Sequence, residues 1–190
     1  MKALILAAGK GTRLFPATKS TPKPLMPLAG KATLSYIIDE ILISGISNIG
    51  LVVSEDNYNQ ISKFIQDNYS NLGIKLITQK NQLGVAHAVK ISRDYIKNDD
   101  FILYLGDNLF ENGIERLVKK FLKNNKNIIS LKYVEDPRKF GVAEIDDKEK
   151  LINITEKPKI PKSNYAVTGI YAFKNKIFDY IERILISERG

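Results

Sequence analysis

Two glycines and a set of isolated cations stand where an apolar run ends near the N terminus. Gly9-Lys10-Gly11-Thr12-Arg13-Leu14 follows Ala3-Leu4-Ile5-Leu6-Ala7-Ala8, and Pro22-Lys23-Pro24-Leu25 comes shortly after. Glycine lets bare backbone N–H groups approach an anion and neighbouring cations neutralise it, so this is the composition of a phosphate cradle. Residues 1–31 hold six cations (Lys2, Lys10, Arg13, Lys19, Lys23, Lys31) and no acid, the first carboxylate being Asp39. Of the formal net charge of +8, these residues carry +6 and the remaining 159 only +2. A positive field concentrated on one loop suits a small polyanion, whereas a nucleic-acid duplex would want a basic face spread over the molecule. Nucleic acid is therefore not expected as the partner. The run lacks the third glycine of the dinucleotide fingerprint, where Leu14 stands, and the Gly-Lys-Ser/Thr ending of a Walker loop.

A carboxylate, Asp107, follows the apolar segment Phe101-Ile102-Leu103-Tyr104-Leu105-Gly106. Magnesium is commonly held by one or two carboxylates together with substrate phosphates, and an acid at the end of a buried strand is placed for that work. Asp107-Asn108 is equally a common turn pair. His87 is the only histidine, nothing near it resembles a triad or a zinc spacing, and it is read as structural. The chain has no cysteine, hence no disulfide framework and no thiolate metal site, which is compatible with a reducing cytoplasm.

The elements that must position these residues alternate. Apolar runs of strand length occupy residues 3–8, 49–53, 74–78, 101–105 and 128–134. Between them lie helical patterns: Leu34, Ile37, Ile38, Ile41 and Leu42; Ile61, Phe64 and Ile65; Val85, Ala88, Val89, Ser92 and Ile96; Ile114, Leu117, Val118, Phe121 and Leu122. Such alternation predicts an α/β fold, a mostly parallel sheet with helices on both faces. From Phe140 the pieces shorten, to strands over 142–145, 151–155 and 166–173 and a last helix with Ile177, Ile181, Ile184 and Leu185. With 190 residues, 44% of them apolar, the chain has length for one full core but not for two comfortable domains. The N-terminal apolar stretch of six residues is too short for a signal peptide or a membrane span.

In sequence, these motifs resemble those of the sugar nucleotidyltransferases, which form NDP-sugars from a nucleoside triphosphate and a sugar 1-phosphate. Beyond the glycine run, the resemblance is carried by residues 79–88, Leu105-Gly106-Asp107-Asn108, Phe140-Gly141-Val142, Glu156-Lys157-Pro158 and Asn164-Tyr165-Ala166-Val167-Thr168-Gly169, all in family order. It implies a Rossmann-like sheet of the nucleotide-diphospho-sugar transferase type, one catalytic domain over 1–190, with a nucleotide-binding part (1–138) and a sugar-phosphate-binding part (139–190). It implies nucleotide contacts by Leu6, Ala8, Gly9, Gly11, Thr12, Gln79 and Gly84, the last two reading a pyrimidine base. Arg13 would stabilise departing pyrophosphate, Lys23 would hold phosphate oxygens, and Asp107 would hold Mg2+. Glu156 would bond a sugar hydroxyl and Lys157 meet the sugar phosphate, with Gly141, Asn164, Tyr165, Thr168 and Arg189 completing that side. The implied partners are a pyrimidine nucleoside triphosphate, a sugar 1-phosphate and, in the complete protein, further copies of the chain, with no membrane.

The implied reaction is nucleotidyl transfer, in which an already anionic phosphate oxygen attacks the α-phosphorus in line and pyrophosphate leaves. No general base or covalent nucleophile is required. Ala7-Ala8-Gly9 and His87 are similar to the uridylyl and N-acetylglucosamine branch, while 105–108 and 164–169 are similar to the thymidylyl and glucose branch, so base and sugar stay open. A non-catalytic nucleotide-sugar-binding protein is the alternative from another class. Family members carry a second magnesium carboxylate downstream of the stretch matched by Ser187-Glu188-Arg189-Gly190. The chain is therefore expected to bind nucleotide, to turn over poorly and to expose apolar surface around its last helix.

Overall fold

The computed structural model describes residues 1–9 and 11–183. In chain order it comprises strand β1 (Lys2–Leu6), three 3₁₀ turns (Thr12–Leu14, Ala17–Lys19, Lys23–Leu25), the short strands β2 (Pro27–Leu28) and β3 (Lys31–Ala32), helix α1 (Thr33–Ile43), β4 (Ile49–Ser54), α2 (Glu55–Tyr69), a fourth 3₁₀ turn (Ser70–Leu72) and β5 (Lys75–Gln79). There follow α3 (Gly84–Ile91), α4 (Arg93–Ile96), β6 (Phe101–Leu105), α5 (Glu115–Asn124), β7 (Ile128–Tyr133), β8 (Gly141–Ile145), β9 (Leu151–Glu156), β10 (Tyr165–Phe173) and α6 (Ile177–Ile181).

A strand apolar on both faces must lie inside a covered sheet, and β1 does. Its neighbours are β4 and β6, both parallel, and β5 extends the parallel set beyond β4. Ala3, Ile5 and Ala7 pack on one side with Leu51, Val53, Ile102 and Tyr104 under Leu34, Ile37, Ile38 and Ile41 of α1, Ile61 of α2, and Val118 and Phe121 of α5. Leu4 and Ala8 pack on the other with Val52, Phe101 and Leu103 under Ala88 and Val89 of α3, Ile96 of α4 and Phe178 of α6. Each large aliphatic side chain buried in this way contributes about 1.5–3 kcal/mol, so the two layers hold the carboxyl ends of the parallel strands in fixed register.

Past β6 the direction reverses. Residues 170–173 of β10 run antiparallel to β6, and β10 also pairs antiparallel with β7 and β8, with a register shift between Val167 and Tyr171. β8 and β9 form an antiparallel pair at that edge. The sheet is thus mixed, with a doubly covered parallel half and an antiparallel half built from the strands after residue 127; these are not the shortened set expected, since β10, at nine residues, is the longest strand described and pairs with β6, β7 and β8 along its length.

Two helical expectations are adjusted. The pattern from Val85 to Ile96 is two helices, because the Ser92 hydroxyl donates to the Ala88 carbonyl and Ser92 closes α3. A serine that bonds back to the preceding turn competes with helix continuation. Leu122, placed on the buried stripe by its spacing, is 65% exposed, since Val118 and Phe121 already fill the contact. Of the last expected helix, Ile184 and Leu185 lie outside the described residues. Among the described residues no helix is long and apolar enough to cross a membrane.

Candidate active site

Ligands of open α/β sheets bind at the carboxyl ends of the strands. Here a cleft of about 410 Å³ opens there, walled by the segments after β1, β5 and β6. Leu6, Ala8, Gly9, Gly11, Thr12, Lys23, Gln79, Gly84 and Asp107 all line it, so the residues expected to meet the nucleotide converge from three separate stretches. Arg13 stands in the turn Thr12–Leu14; its side chain, together with Lys10 and Arg189, lies outside the described residues.

The glycine turn is shaped from both sides. Gly11 has φ +63°, and a Cβ there would lie 3.0 Å from Thr18 Cγ2 and 3.2 Å from Lys23 Cβ. The left-handed backbone and the close approach together favour glycine. The Thr18 hydroxyl donates to the Gly11 carbonyl at 2.8 Å, folding the loop back on itself. Two amides hold the end of β1. Asn57 Nδ2 donates to the Ala7 carbonyl at 2.9 Å from the first turn of α2, whose N terminus is capped by Ser54, and Gln82 Nε2 donates to the Ala8 carbonyl at 2.6 Å. Neither residue was anticipated. Each amide's partner is more than 45 residues away, and no local pattern marks such a contact.

The loops after β1 and β6 are joined by charge. Lys23 Nζ donates to Asp107 Oδ2 at 2.8 Å. The side chains are 33% and 49% exposed, so the pair contributes under about 1 kcal/mol to stability and remains free to exchange partners. Asp107 is brought to this point by Gly106, whose N–H donates to the Leu6 carbonyl and whose added Cβ would lie 2.7 Å from that oxygen. Only glycine permits β1 and β6 to close so tightly beside the site.

Gln79 ends β5 with 4% exposure. Its Nε2 lies 2.9 Å from His87 Nδ1 and 3.5 Å from the Gly84 carbonyl oxygen. The N terminus of α3, at Gly84 and Val85, also faces the cleft, adding unpaired N–H groups and the positive end of the helix dipole.

The residues expected on the sugar side do not line this cleft; they lie along the antiparallel half. Gly141 and Glu156 are register partners on β8 and β9. Lys157, next in the chain, has φ +46°, its N–H donates to the Phe140 carbonyl and its Nζ is 3.4 Å from Glu156 Oε1. A lysine in that backbone region is uncommon and clusters with function in folded proteins. Asn164 Nδ2 donates to the carbonyls of Val134 and Glu135, Thr168 Oγ1 donates to that of Ser130, and the Tyr165 ring meets Tyr133 edge-on. Those three side chains tie β10 to β7 and the turn after it. Among the described residues no three His, Cys, Asp or Glu side chains cluster to hold a metal. Asp107 is the carboxylate among the residues lining the cleft, and one carboxylate is a donor that fits a magnesium ion sharing the rest of its shell with phosphate oxygens.

The nucleotidyl transferase family model matches residues 2–189. The chain is 41% identical over 193 residues to a glucose-1-phosphate thymidylyltransferase of Streptomyces antibioticus and 41% identical over 192 residues to the bifunctional protein GlmU of Methanococcus maripaludis, covering all of this chain but 54% and 44% of theirs. It thus spans about half the length of the curated relatives it matches. A crystallised candidate glucose-1-phosphate thymidylyltransferase of Bacillus anthracis, in complex with sucrose, superposes with a TM-score of 0.91 at 35% identity, covering 100% of this chain and 78% of that one. A UDP-glucose pyrophosphorylase bound to UDP-glucose shares the fold, with a TM-score of 0.84 at 24% identity, and covers 96% and 79%. Matched along nearly its whole length, with a glycine turn, a lysine and an aspartate converging at the carboxyl ends of its parallel strands, the chain belongs to the nucleotidyl transferase family.

Proposed function

We propose that the protein forms an NDP-sugar and pyrophosphate from a pyrimidine nucleoside triphosphate, dTTP or UTP, and a sugar 1-phosphate, with glucose 1-phosphate as the first candidate. The observation that carries this reading is the convergence of Gly9, Gly11, Lys23, Asp107 and Gln79 on one cleft. An oxygen of the sugar phosphate forms a bond to the α-phosphorus, the bond from that phosphorus to the bridging oxygen breaks, and the electron pair leaves with pyrophosphate. Because the nucleophile is already anionic, the protein's work is positioning and charge neutralisation. The turn at Gly9 and Gly11 wraps the triphosphate, Lys23 meets its oxygens as a point charge, and Arg13 spreads the charge of the leaving group over a planar fork. Gln79 and Gly84 read the base. Asp107 would hold Mg2+, which supplies further neutralisation of the phosphates when bound. Across the sheet boundary, Lys157 and Glu156 would receive the sugar phosphate and the sugar, with Gly141, Asn164, Tyr165 and Thr168 shaping that side. The cysteine-free composition suits a cytoplasmic setting.

The test is a panel of dTTP, UTP, ATP and GTP against glucose 1-phosphate and N-acetylglucosamine 1-phosphate, read as pyrophosphate release. A pyrimidine triphosphate with either sugar phosphate should be consumed. Binding of nucleotide with no release under any pairing would favour the non-catalytic alternative. Ala7-Ala8-Gly9 and His87 resemble the uridylyl branch, so UTP stands beside dTTP in the panel.

A further inference from the structure

The carbonyl of Gly84 can only accept a hydrogen bond, so the end of the Gln79 carboxamide that faces it, at 3.5 Å, is the nitrogen. That same nitrogen lies 2.9 Å from His87 Nδ1. An amide NH2 donates and never accepts, so Nδ1 must be the acceptor and the imidazole must carry its proton on the other ring nitrogen. Both amide hydrogens are then engaged within the chain. Oε1 is the polar end that is left, and among the described residues no donor is paired with it. Gln79 is buried and lines the cleft, so this oxygen is what the side chain offers a ligand.

We propose that His87 is a positioning residue for base selection: by accepting from Gln79 Nε2 it holds Gln79 Oε1 toward the base, so that the site takes a base with an N–H at position 3 and rejects one without it. The inference deepens the pyrimidine reading above and rests on it. Uracil and thymine present a donor at N3, whereas cytosine presents an acceptor there, and two acceptors face to face leave a desolvated polar group unpaired. The Gly84 contact alone sits at the outer edge of hydrogen-bond length, so the shorter bond to His87 is the one that sets the amide's direction. His87 lies on α3 eight residues after Gln79, and its role is legible only once the strand and the helix are brought together.

The experiment is calorimetric binding of dTTP, UTP, CTP, ATP and GTP to the chain and to three variants. The parent should favour UTP over CTP by about tenfold or more, one well-oriented polar contact being enough for that. His87→Ala and His87→Phe both remove the acceptor and should bring that ratio toward one; His87→Asn, whose Oδ1 reaches about the same place, should restore it. Phe keeps the ring volume, so it carries the test if the Ala variant does not fold by circular dichroism. An unchanged UTP to CTP ratio in Ala and Phe overturns the proposal, as does a lost ratio that Asn fails to restore, which would make the ring a matter of shape. ATP or GTP bound by the parent as tightly as UTP would instead defeat the pyrimidine reading, while a parent that prefers pyrimidines but accepts CTP equally defeats the orientation argument alone.

Discussion

Gly9 and Gly11 stand two residues apart in one turn and make different demands. A Cβ at Gly11 meets Thr18 and Lys23 in a left-handed backbone, whereas a Cβ at Gly9 meets nothing within 4 Å. Gly11→Ala should therefore destabilise the chain by about 1–2 kcal/mol and weaken triphosphate binding through the displaced Lys23. Gly9→Ala should keep the parent's melting temperature and still weaken binding, because the added methyl stands where phosphates would approach. Equal affinity of Gly9→Ala and parent in calorimetry would mean that the backbone at residue 9 takes no part. For Arg13, a cation that acts on the leaving group works chiefly in the transition state. Arg13→Ala in an active form of the protein should lower turnover about 100-fold, roughly 2.7 kcal/mol, with a smaller change in nucleotide affinity. Equal losses in the two measurements would assign Arg13 to ground-state binding.

Between elements, α1 is fastened to β6 by a polar contact inside an otherwise apolar layer. Tyr104 Oη donates to Glu40 Oε2 at 2.8 Å, linking the strand that delivers Asp107 to the helix covering it. Burial raises the Glu40 carboxyl above its ordinary value, an effect the Tyr104 hydroxyl partly offsets. With the folded pKa raised, the group's contribution to stability is complete below the unfolded pKa and is lost as pH rises through the folded one. Glu40→Gln keeps an acceptor for Tyr104 and removes that ionisation. Thermal melts from about pH 4 to pH 7 should show the variant gaining on the parent as pH increases, since carboxylates titrate across that range. A difference that stays flat with pH would show that Glu40 ionises without cost in the folded chain.

For the molecule as a whole, the fold sorts the cations of residues 1–31: among the described side chains Lys23 lines the cleft and sets a positive field there, whereas Lys2 is ion-paired with Asp99 at the amino end of β1 and Lys31 with Asp39. Half-exposed charges are screened by salt, so affinity for a triphosphate should fall between about 50 and 500 mM NaCl, and fall more steeply than affinity for the matching monophosphate. Parallel slopes for the two nucleotides would place the phosphates away from this field. The two halves of the mixed sheet carry different candidate residues. The parallel half carries the glycine turn, Lys23, Gln79 and Asp107, and the antiparallel half carries Gly141, Glu156, Lys157 and the side chains that tie β10 to β7.

Much of this was legible in the chain itself. The twofold apolar faces of β1 and β6, the glycine turn, the acid after Gly106 and the helices opposite Leu34, Ile61 and Val118 are local facts, because strand and helix periods are set by residues within a few positions of one another. A change of pattern after residue 139 was visible too, yet the length of β10 and its antiparallel run beside β6 were not, since strand direction depends on where the returning chain finds an open edge. The pairing of Lys23 with Asp107, the amides of Asn57 and Gln82 on the end of β1, and the bond from Gln79 to His87 were decided by tertiary structure alone. The first three join residues 84, 50 and 74 positions apart. The last joins near neighbours across a strand-to-helix turn, where eight residues of spacing say nothing of which way an amide points. Residue types therefore specified which chemistry was available, and the packing of strands and helices selected the partners, because hydrogen bonds and ion pairs act over a few ångströms that only the folded chain can bring about.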